Sequence, residues 1–266
     1  MQKQKIVIKI GTSTLCHLGN GLNYRNIERV CREIADLKHS GCGVTLVTSG
    51  AIGAGTAKLN LPSRPSDLRE KQAVASVGQS VLMHAYDKFF SEYGVTVGQV
   101  LLNKEDTDRP VSRESLLGTL NAMYALGVLP VVNENDAVGF DEIESDTSIF
   151  GDNDTLSAVV AGFTGADLLV ILTDIDGLFT ANPHEDPDAQ LIARVTAITP
   201  RILELAGGAG STFGTGGMAT KVKAAMIAAK TGCRTVIVNG AIPGNLYRAA
   251  QGLPVGTVFE LGSQAV

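Results

Sequence analysis

Short apolar runs alternate along this chain with longer segments in which apolar residues recur at helical spacing. Residues 5–10, 44–47 and 167–172 are apolar for most of their length, as is typical of strands covered on both faces. Residues 26–39 instead repeat apolar positions every three or four residues, which predicts an amphipathic helix. This alternation indicates an α/β fold with a mostly parallel central sheet and helices on both faces.

The same pattern places the other elements. We predict further strands at residues 95–102, 128–132, 234–238 and 257–261, and a short edge strand at 192–195. We predict helices at residues 66–93 (with a break near Gly78), 112–126 (capped by Ser112), 155–163, 200–206 and 244–252, and a further helix whose first turns carry Lys221. Residues 137–150 are polar, and we interpret them as a hairpin or an excursion from the sheet.

Polar turns that contain glycine or serine follow almost every predicted strand. They occupy residues 11–14, 49–55, 133–136, 173–177 and Gly240. Because the carboxyl ends of parallel strands share one edge of the sheet, these turns should line one ligand cleft.

Residues 207–217 contain six glycines and are followed by Lys221 in a predicted helix. Glycine lets backbone N–H groups approach an anion, and the helix N-terminus and Lys221 would add positive charge, so the segment favours a phosphate site. It lacks the Gly-Lys-Ser/Thr of a Walker loop. A Gly-x-Gly-x-x-Ala match at Gly214, Gly216 and Ala219 leaves a dinucleotide fold open, and a plain surface loop is the third interpretation.

Composition narrows the class of protein. Hydrophobic residues make up 44% of the chain, aromatic residues 5%, and tryptophan is absent, which suits a core of Val, Ile, Leu and Ala between parallel strands. The net charge of −5 argues against a nucleic-acid partner, and no apolar run approaches the ~20 residues that span a membrane. Four cysteines without a Cys-x-x-Cys pair, and a Met1 that leads almost directly into a strand, predict a cytoplasmic protein.

The candidate cleft offers charges but no evident nucleophile–base pair. Lys9, Lys221, Asp154 and Asp174 fall in or beside the polar turns, whereas the histidines occur in no motif and no His/Cys cluster predicts a bound metal. Two lysines with carboxylates and glycine turns are typical of phosphoryl transfer, which needs positioning and charge stabilisation. A carboxylate would orient the lysines or reach Mg²⁺; Asp152 and Asp176 are better explained as a helix cap and a turn residue.

Eight segments together carry a family resemblance. They are Lys-Ile-Gly-Thr-Ser at 9–13, Ser-Gly-Ala-Ile-Gly-Ala-Gly at 49–55, Lys-Gln-Ala at 71–73, Val-Gly-Gln at 77–79, Asn-Glu-Asn-Asp at 133–136, Gly-Asp-Asn-Asp at 151–154, Thr-Asp-Ile-Asp-Gly-Leu at 173–178 and Gly-Thr-Gly-Gly-Met-Ala-Thr-Lys at 214–221. In these segments, and in their order along nearly the whole chain, the sequence resembles the glutamate 5-kinases of the amino-acid kinase superfamily.

The resemblance implies a three-layer αβα sandwich that phosphorylates the γ-carboxylate of L-glutamate with ATP, the first step of proline biosynthesis. It implies one kinase domain over residues 1–266, with a glutamate-binding lobe to about residue 165 and an ATP-binding lobe after it. Many members add a C-terminal PUA domain; this sequence ends at Val266, just past the last predicted strand, so we expect no PUA domain here.

The resemblance also implies residue roles. Lys9 and Lys221 would contact the phosphates, Asp154 would organise the two lysines, and Ser49, Asp136 and Asn153 would bind glutamate. ATP, with Mg²⁺, would be bound by Lys9, Thr173, Asp174, Thr215, Gly216, Gly217, Met218, Ala219, Thr220 and Lys221. L-proline as a feedback inhibitor and a homo-oligomer (dimer or tetramer) are further implications.

Three alternatives stay open at this point. The chain could be a sister kinase that acts on N-acetylglutamate, aspartate, carbamate or UMP. It could be a dehydrogenase that binds a dinucleotide at Gly214 and Gly216. It could also bind nucleotides without catalysis, which the presence of both Lys9 and Lys221 disfavours.

Overall fold

The computed structural model describes residues 4–17, 21–138, 152–183, 185–207 and 217–262. The strands are β1 (Lys5–Ile10), β2 (Gly43–Val47), β3 (Val97–Leu102), β4 (Leu129–Glu134), β5 (Leu168–Thr173), β6 (Arg194–Val195), β7 (Arg234–Asn239) and β8 (Thr257–Phe259). The helices are α1 (Thr12–Leu15), α2 (Tyr24–His39), α3 (Ala51–Lys58), α4 (Leu68–Glu92), α5 (Lys104–Asp108), α6 (Pro110–Ala125), α7 (Asn153–Thr164), α8 (Pro200–Leu205), α9 (Met218–Ala229) and α10 (Asn245–Ala250).

Across the described ranges, the strands form one 8-stranded sheet in the order β3-β4-β2-β1-β5-β7-β8-β6. The pairs from β3 through β7 are parallel, β8 runs antiparallel to β7, and β6 pairs in parallel with β8 at the edge. The first strand of the chain therefore lies in the middle of the sheet, between β2 and β5. The prediction of a mostly parallel α/β sheet is confirmed.

The core consists of two apolar layers, one on each face of the sheet. Ile6, Ile8 and Ile10 of β1 face the layer formed with α2, α3, α4 and α10. Val7 faces the opposite layer, formed with α6, α7 and α9. Because successive side chains of a strand alternate between faces, Lys9 points to the same side as Val7, toward α7 and α9. Helices thus cover both faces, as in the predicted αβα sandwich.

Several local predictions hold and several are wrong. The edge strand at 192–195, the helix at 200–206 and the capping role of Asp152, whose Oδ1 accepts from the N–H of Thr155 at 2.7 Å, are confirmed. The predicted turns at 11–14 and 49–55 are wrong in part, because α1 and α3 form there. Ser112 does not cap a helix, since α6 begins at Pro110 after Arg109. Residues 139–150 lie outside the described residues, so the proposed excursion stays a prediction.

The predicted break at Gly78 is also wrong, because α4 continues through it. Gly78 and Gly55 are instead the places where α3 and α4 touch backbone to backbone. A Cβ added at Gly78 would lie 1.7 Å from the carbonyl oxygen of Ala51, and one added at Gly55 would lie 1.9 Å from that of Val74. Glycine is required here for close packing, and α4 can consequently lie against the turn that follows β2.

Gly78→Ala should lower the free energy of unfolding by about 1–3 kcal/mol, because the added methyl group must push α3 and α4 apart. Gly118→Ala is the matched control: this glycine lies in exposed α6 with nothing within 4 Å of an added Cβ. That change should stabilise the protein by about 0.5–1 kcal/mol. Urea unfolding of both variants measures the difference, and a Gly78→Ala protein as stable as the wild type would contradict the packing described here.

None of the helices in the described part of the chain combines the length and the apolar character needed to cross a bilayer.

Candidate active site

The carboxyl ends of β1, β2, β4 and β5 meet at one edge of the sheet. Lys9 pairs in register with Val47 of β2 and Ile171 of β5, so the residues that follow these strands lie side by side. Gly50 adopts φ 90°, a left-handed conformation that glycine tolerates, and α3 begins directly after Ser49 and Gly50. The polar turns predicted to share one edge of the sheet do so.

Three buried charges lie above this edge. Asp154, in the first turn of α7, places Oδ1 2.7 Å from Lys9 Nζ and Oδ2 3.2 Å from Lys221 Nζ. The hydroxyl of Thr220 donates to Asp154 Oδ2 at 2.7 Å. The exposed fractions are 6% for Lys9, 0% for Asp154 and 4% for Lys221, so water hardly screens the charges. The structure therefore joins a strand and two helices through one carboxylate.

The electrostatics of this trio follow from burial and proximity. Burial opposes the ionisation of Asp154, but the charges of Lys9 and Lys221 and its hydrogen bonds outweigh burial and hold the pKa of this carboxyl below its usual value. Burial lowers the pKa of Lys221, and the charge of Lys9 adds to this, while Asp154 and Asp174 oppose it. With all three ionised, the trio carries one net positive charge, and an added anion would stabilise it.

Two helix N-termini are directed at the same place. Asp154 lies in the first turn of α7, and Lys221 lies in the first turn of α9, which follows Gly217. The free N–H groups and dipole of each helix favour negative charge. Together with the two lysines, these ends create a site suited to phosphate groups.

A chain of side-chain hydrogen bonds lies beside the charged trio. The amide of Asn153 donates to Ser49 Oγ at 3.0 Å and to Asn133 Oδ1 at 3.2 Å. The amide of Asn133 in turn donates to Gln79 Oε1, on α4, at 2.9 Å. Ser49 and Asn153, both predicted to bind substrate, are thus in direct contact. Asn133 and Gln79 had no individual role from the sequence; their only signal was their position in the 133–136 and 77–79 segments.

Asp136, Thr173 and Asp174 lie at the same edge. Asp136 is half-buried in the turn after β4. Thr173 ends β5, and its hydroxyl donates to Asp174 Oδ1 at 3.1 Å. Asp174 itself is exposed. Since Asp174 also acts on the pKa of Lys221, its charge lies within electrostatic reach of the trio.

The glycine-rich segment is described only at its two ends. Gly217 caps α9, and its carbonyl oxygen lies 2.7 Å from the Thr220 hydroxyl oxygen, where Met218, Ala219, Thr220 and Lys221 form the first helical turn. Thr215 and Gly216, predicted to bind ATP, lie outside the described residues, as does Gly214.

No group of three or more His, Cys, Asp or Glu side chains that could hold a metal ion occurs among the described residues. Mg²⁺ commonly binds through one or two carboxylates, phosphate oxygens and water. The residues present fit an ion that arrives with a nucleotide, and Asp174 is an exposed carboxylate at this edge.

Comparison with known proteins finds relatives that match nearly the whole chain. Residues 4–239 match the model of the amino acid kinase family. A curated glutamate 5-kinase of Listeria monocytogenes is 51% identical over 257 residues, which cover 96% of this chain and 92% of that protein. A glutamate 5-kinase of Clostridium tetani is 48% identical, with 97% and 94% coverage. A glutamate 5-kinase of Moorella thermoacetica is 51% identical over 97% of this chain but 67% of its own length.

Solved structures share the fold at low identity. UMP kinase from Ureaplasma parvum superposes with a TM-score of 0.66 at 14% identity and covers 98% of this chain and 100% of its own. Carbamate kinase from Giardia lamblia bound to AMP-PNP gives 0.66 at 14% identity, with 98% and 99% coverage. At this identity the likeness establishes the architecture only.

Proposed function

The chain belongs to the amino acid kinase family, in its glutamate 5-kinase branch, and on that basis we propose that it transfers the γ-phosphoryl group of ATP to the γ-carboxylate of L-glutamate. The product would be L-glutamyl 5-phosphate, the first intermediate on the way to proline. The observation that carries the proposal is the position of Asp154, which holds the buried ammonium groups of Lys9 and Lys221 at one point.

The reaction requires no general base. A γ-carboxylate is already ionised at pH 7, so no proton has to be removed before it attacks. The barrier instead comes from bringing two anions together and from charge on the transferring group. Lys9 and Lys221 supply that stabilisation from fixed positions, because Asp154 orients both before substrate binds.

Glutamate would bind over the ends of β2 and β4. The Ser49 hydroxyl, which accepts from Asn153, keeps its own proton for donation to a substrate carboxylate. Asp136 would pair with the ammonium group of the substrate. The carboxylate that reacts would then face Lys9.

ATP would bind over the ends of β1 and β5. Thr173, Asp174 and residues Gly217–Lys221 lie on that side, and Thr215 and Gly216 stay predicted contacts. Mg²⁺, if bound with ATP, would neutralise phosphate charge. The residues of the chain position the nucleotide against the two lysines.

A hydroxylamine trap tests the reaction. The protein is incubated with ATP, Mg²⁺ and each candidate acceptor, and the acyl phosphate is captured as the hydroxamate. We expect product with L-glutamate and little with N-acetylglutamate or aspartate. Product with N-acetylglutamate but not with glutamate would refute the substrate, and bound NAD without ATP turnover would refute the reaction class.

Asp136→Ala should mainly raise the KM for glutamate, because the lost carboxylate contacts the substrate in both the ground state and the transition state. Steady-state kinetics with each substrate varied in turn measure this. Asp188→Ala, an exposed aspartate, is the control and should leave both KM values unchanged. An Asp136→Ala enzyme that loses affinity for ATP alone would contradict the assignment.

The proposal extends to three further properties: inhibition by L-proline, the oligomeric state and the cellular location. L-proline, which carries the same α-carboxylate and an ammonium group, would compete with glutamate at this site. Assembly into a dimer or tetramer stays a prediction that analytical ultracentrifugation measures. We place the reaction in the cytoplasm, which is supported by the four free thiols of Cys16, Cys31, Cys42 and Cys233.

A further inference from the structure

Gln79 lies in the interior of α4 and reaches the substrate side of the site only through other side chains. It is 9% exposed, and its Oε1 accepts the hydrogen bond from Asn133. Asn133 Oδ1 accepts a hydrogen bond from the Asn153 amide, which also donates to Ser49 Oγ. Gln79 is therefore the inner end of a chain of three amides that finishes at a hydroxyl.

The packing of α4 fixes this inner end. Gly78, the preceding residue, lies against the carbonyl of Ala51 so closely that no side chain fits between them. This contact anchors α4 next to the start of α3, which follows Ser49 and Gly50. Backbone packing thus fixes the position on α4 from which the Gln79 side chain reaches Asn133 of β4.

The hydrogen bonds along this chain of amides run in a defined donor-to-acceptor direction. Asn153 uses both N–H bonds, one to Ser49 and one to Asn133, so it presents only its carbonyl oxygen to anything else. That oxygen, Asn153 Oδ1, is buried and has no partner among the described residues. A buried acceptor without a partner costs free energy that an N–H donor of a ligand would recover.

The donor-to-acceptor direction of these hydrogen bonds depends on Gln79. Asn133 turns its oxygen toward Asn153 because its NH₂ group is held by Gln79 Oε1. Without that acceptor the Asn133 amide can rotate and present its NH₂ group to Asn153. Asn153 would then turn as well, and a donor would face the ligand in place of an acceptor.

We propose that Gln79 is a positioning residue for substrate recognition: through Asn133 it keeps Asn153 Oδ1 available as an acceptor for the α-ammonium group of the amino-acid substrate. This inference rests on the proposed function, and it adds a residue that controls substrate selectivity without contacting the substrate. Asp136 supplies charge to the ammonium group, and Asn153 supplies a directed acceptor. Gln79 itself touches no reacting atom.

The test compares glutamate with glutarate, which has both carboxylates but no ammonium group. Gln79→Leu keeps the volume and removes the acceptor, and Gln79→Glu keeps an acceptor oxygen toward Asn133. We expect Gln79→Leu to raise the KM for glutamate about tenfold to a hundredfold, the loss associated with an unsatisfied buried amide, and to leave the KM for ATP unchanged. The preference for glutamate over glutarate, as a ratio of kcat/KM values, should fall by a similar factor, and Gln79→Glu should retain most of it.

A double-mutant cycle separates positioning from general damage. In an Asn153→Ala background, Gln79→Leu should cost nothing further, because the group through which it acts is gone. Ser80→Ala, the exposed next residue on α4, is the control and should behave as the wild type. Additive losses, an equal rise of both KM values, or an unchanged preference over glutarate would each overturn the proposal.

The experiment distinguishes failure of the proposed function from failure of the positioning role of Gln79. A wild-type protein that forms no hydroxamate from glutamate refutes the proposed function. A wild-type protein that does form it, with Gln79 variants that discriminate normally, refutes only the positioning role. If Gln79→Leu fails to fold, Gln79→Glu carries the test, and discrimination as poor as that of Asn153→Ala would overturn the proposal.

Discussion

Lys221→Ala should lower kcat by about 10²–10⁴ and leave the fold intact. The magnitude is that of removing one preorganised charge donor from a site with little water. Lys221 is 4% exposed and its ammonium group is held by Asp154, so no solvent cation replaces it at the same position. Asp154 keeps Lys9 and Thr220 as partners, and the protein should therefore stay folded.

Lys223→Ala is the matched control, since Lys223 lies on the same helix but faces solvent. Its kcat should equal that of the wild type. Because burial lowers the pKa of Lys221, the wild-type kcat should begin to fall at a pH below the 10.5 of a free lysine as the ammonium loses its proton. An unchanged kcat in Lys221→Ala would show that this lysine does not stabilise the transferring phosphoryl group.

Asp154→Asn should lower the free energy of unfolding by about 3–5 kcal/mol at pH 7, because it leaves two buried ammonium groups without a counter-charge. It should also lower kcat, since Lys9 and Lys221 no longer converge on one point. Asp152→Asn is the control: asparagine caps a helix about as well as aspartate, so α7 should be unaffected. Chemical denaturation and steady-state kinetics measure the two effects.

The pH dependence checks the same assignment. The pKa of Asp154 in the folded protein is lowered from 3.8, so its ionisation stabilises the protein in full above that pH. The stabilisation disappears as the pH falls through the lowered value and the carboxylate is protonated. The stability difference between the wild type and Asp154→Asn should thus be constant near neutrality and shrink below pH 3.8. A difference that is independent of pH would contradict an ionised Asp154 at this position.

The strands could be predicted from the sequence because they are buried on both faces. Four of the six positions of β1 and five of the six of β5 are apolar, so the pattern alone identifies both strands. The glycine-bearing turns were informative for a related reason: in a parallel sheet the position of a turn along the chain determines which edge it occupies. Their gathering at one edge followed from the order of elements.

The helices α1 and α3 could not be predicted in the same way. Local preference disfavours a helix that contains Gly53 and Gly55, yet α3 forms because Gly55 packs against the backbone of α4. The supposed break at Gly78 failed for the same reason, since the glycine serves a contact and not a kink. Tertiary packing decided both segments, and such packing has no local signal.

For the site, the residue types were predictable and their connections were not. Lys9, Asp154 and Lys221 were expected near the phosphates, and the structure brings them together, although their roles await the kinetics above. Gln79 was visible only through its position in the 77–79 segment, within a long predicted helix. Which face a single glutamine occupies depends on the register of α4 against α3, and the sequence does not encode that register locally.

The central position of β1 has a consequence for synthesis on the ribosome. β1 is made well before β5, one of its two neighbours, which begins at Leu168. At common translation rates, roughly 10–30 s pass between them, during which one edge of an apolar strand has no native partner. During that interval Lys9, whose counter-charge Asp154 is also made later, interrupts the apolar run of the strand and disfavours its pairing with another chain.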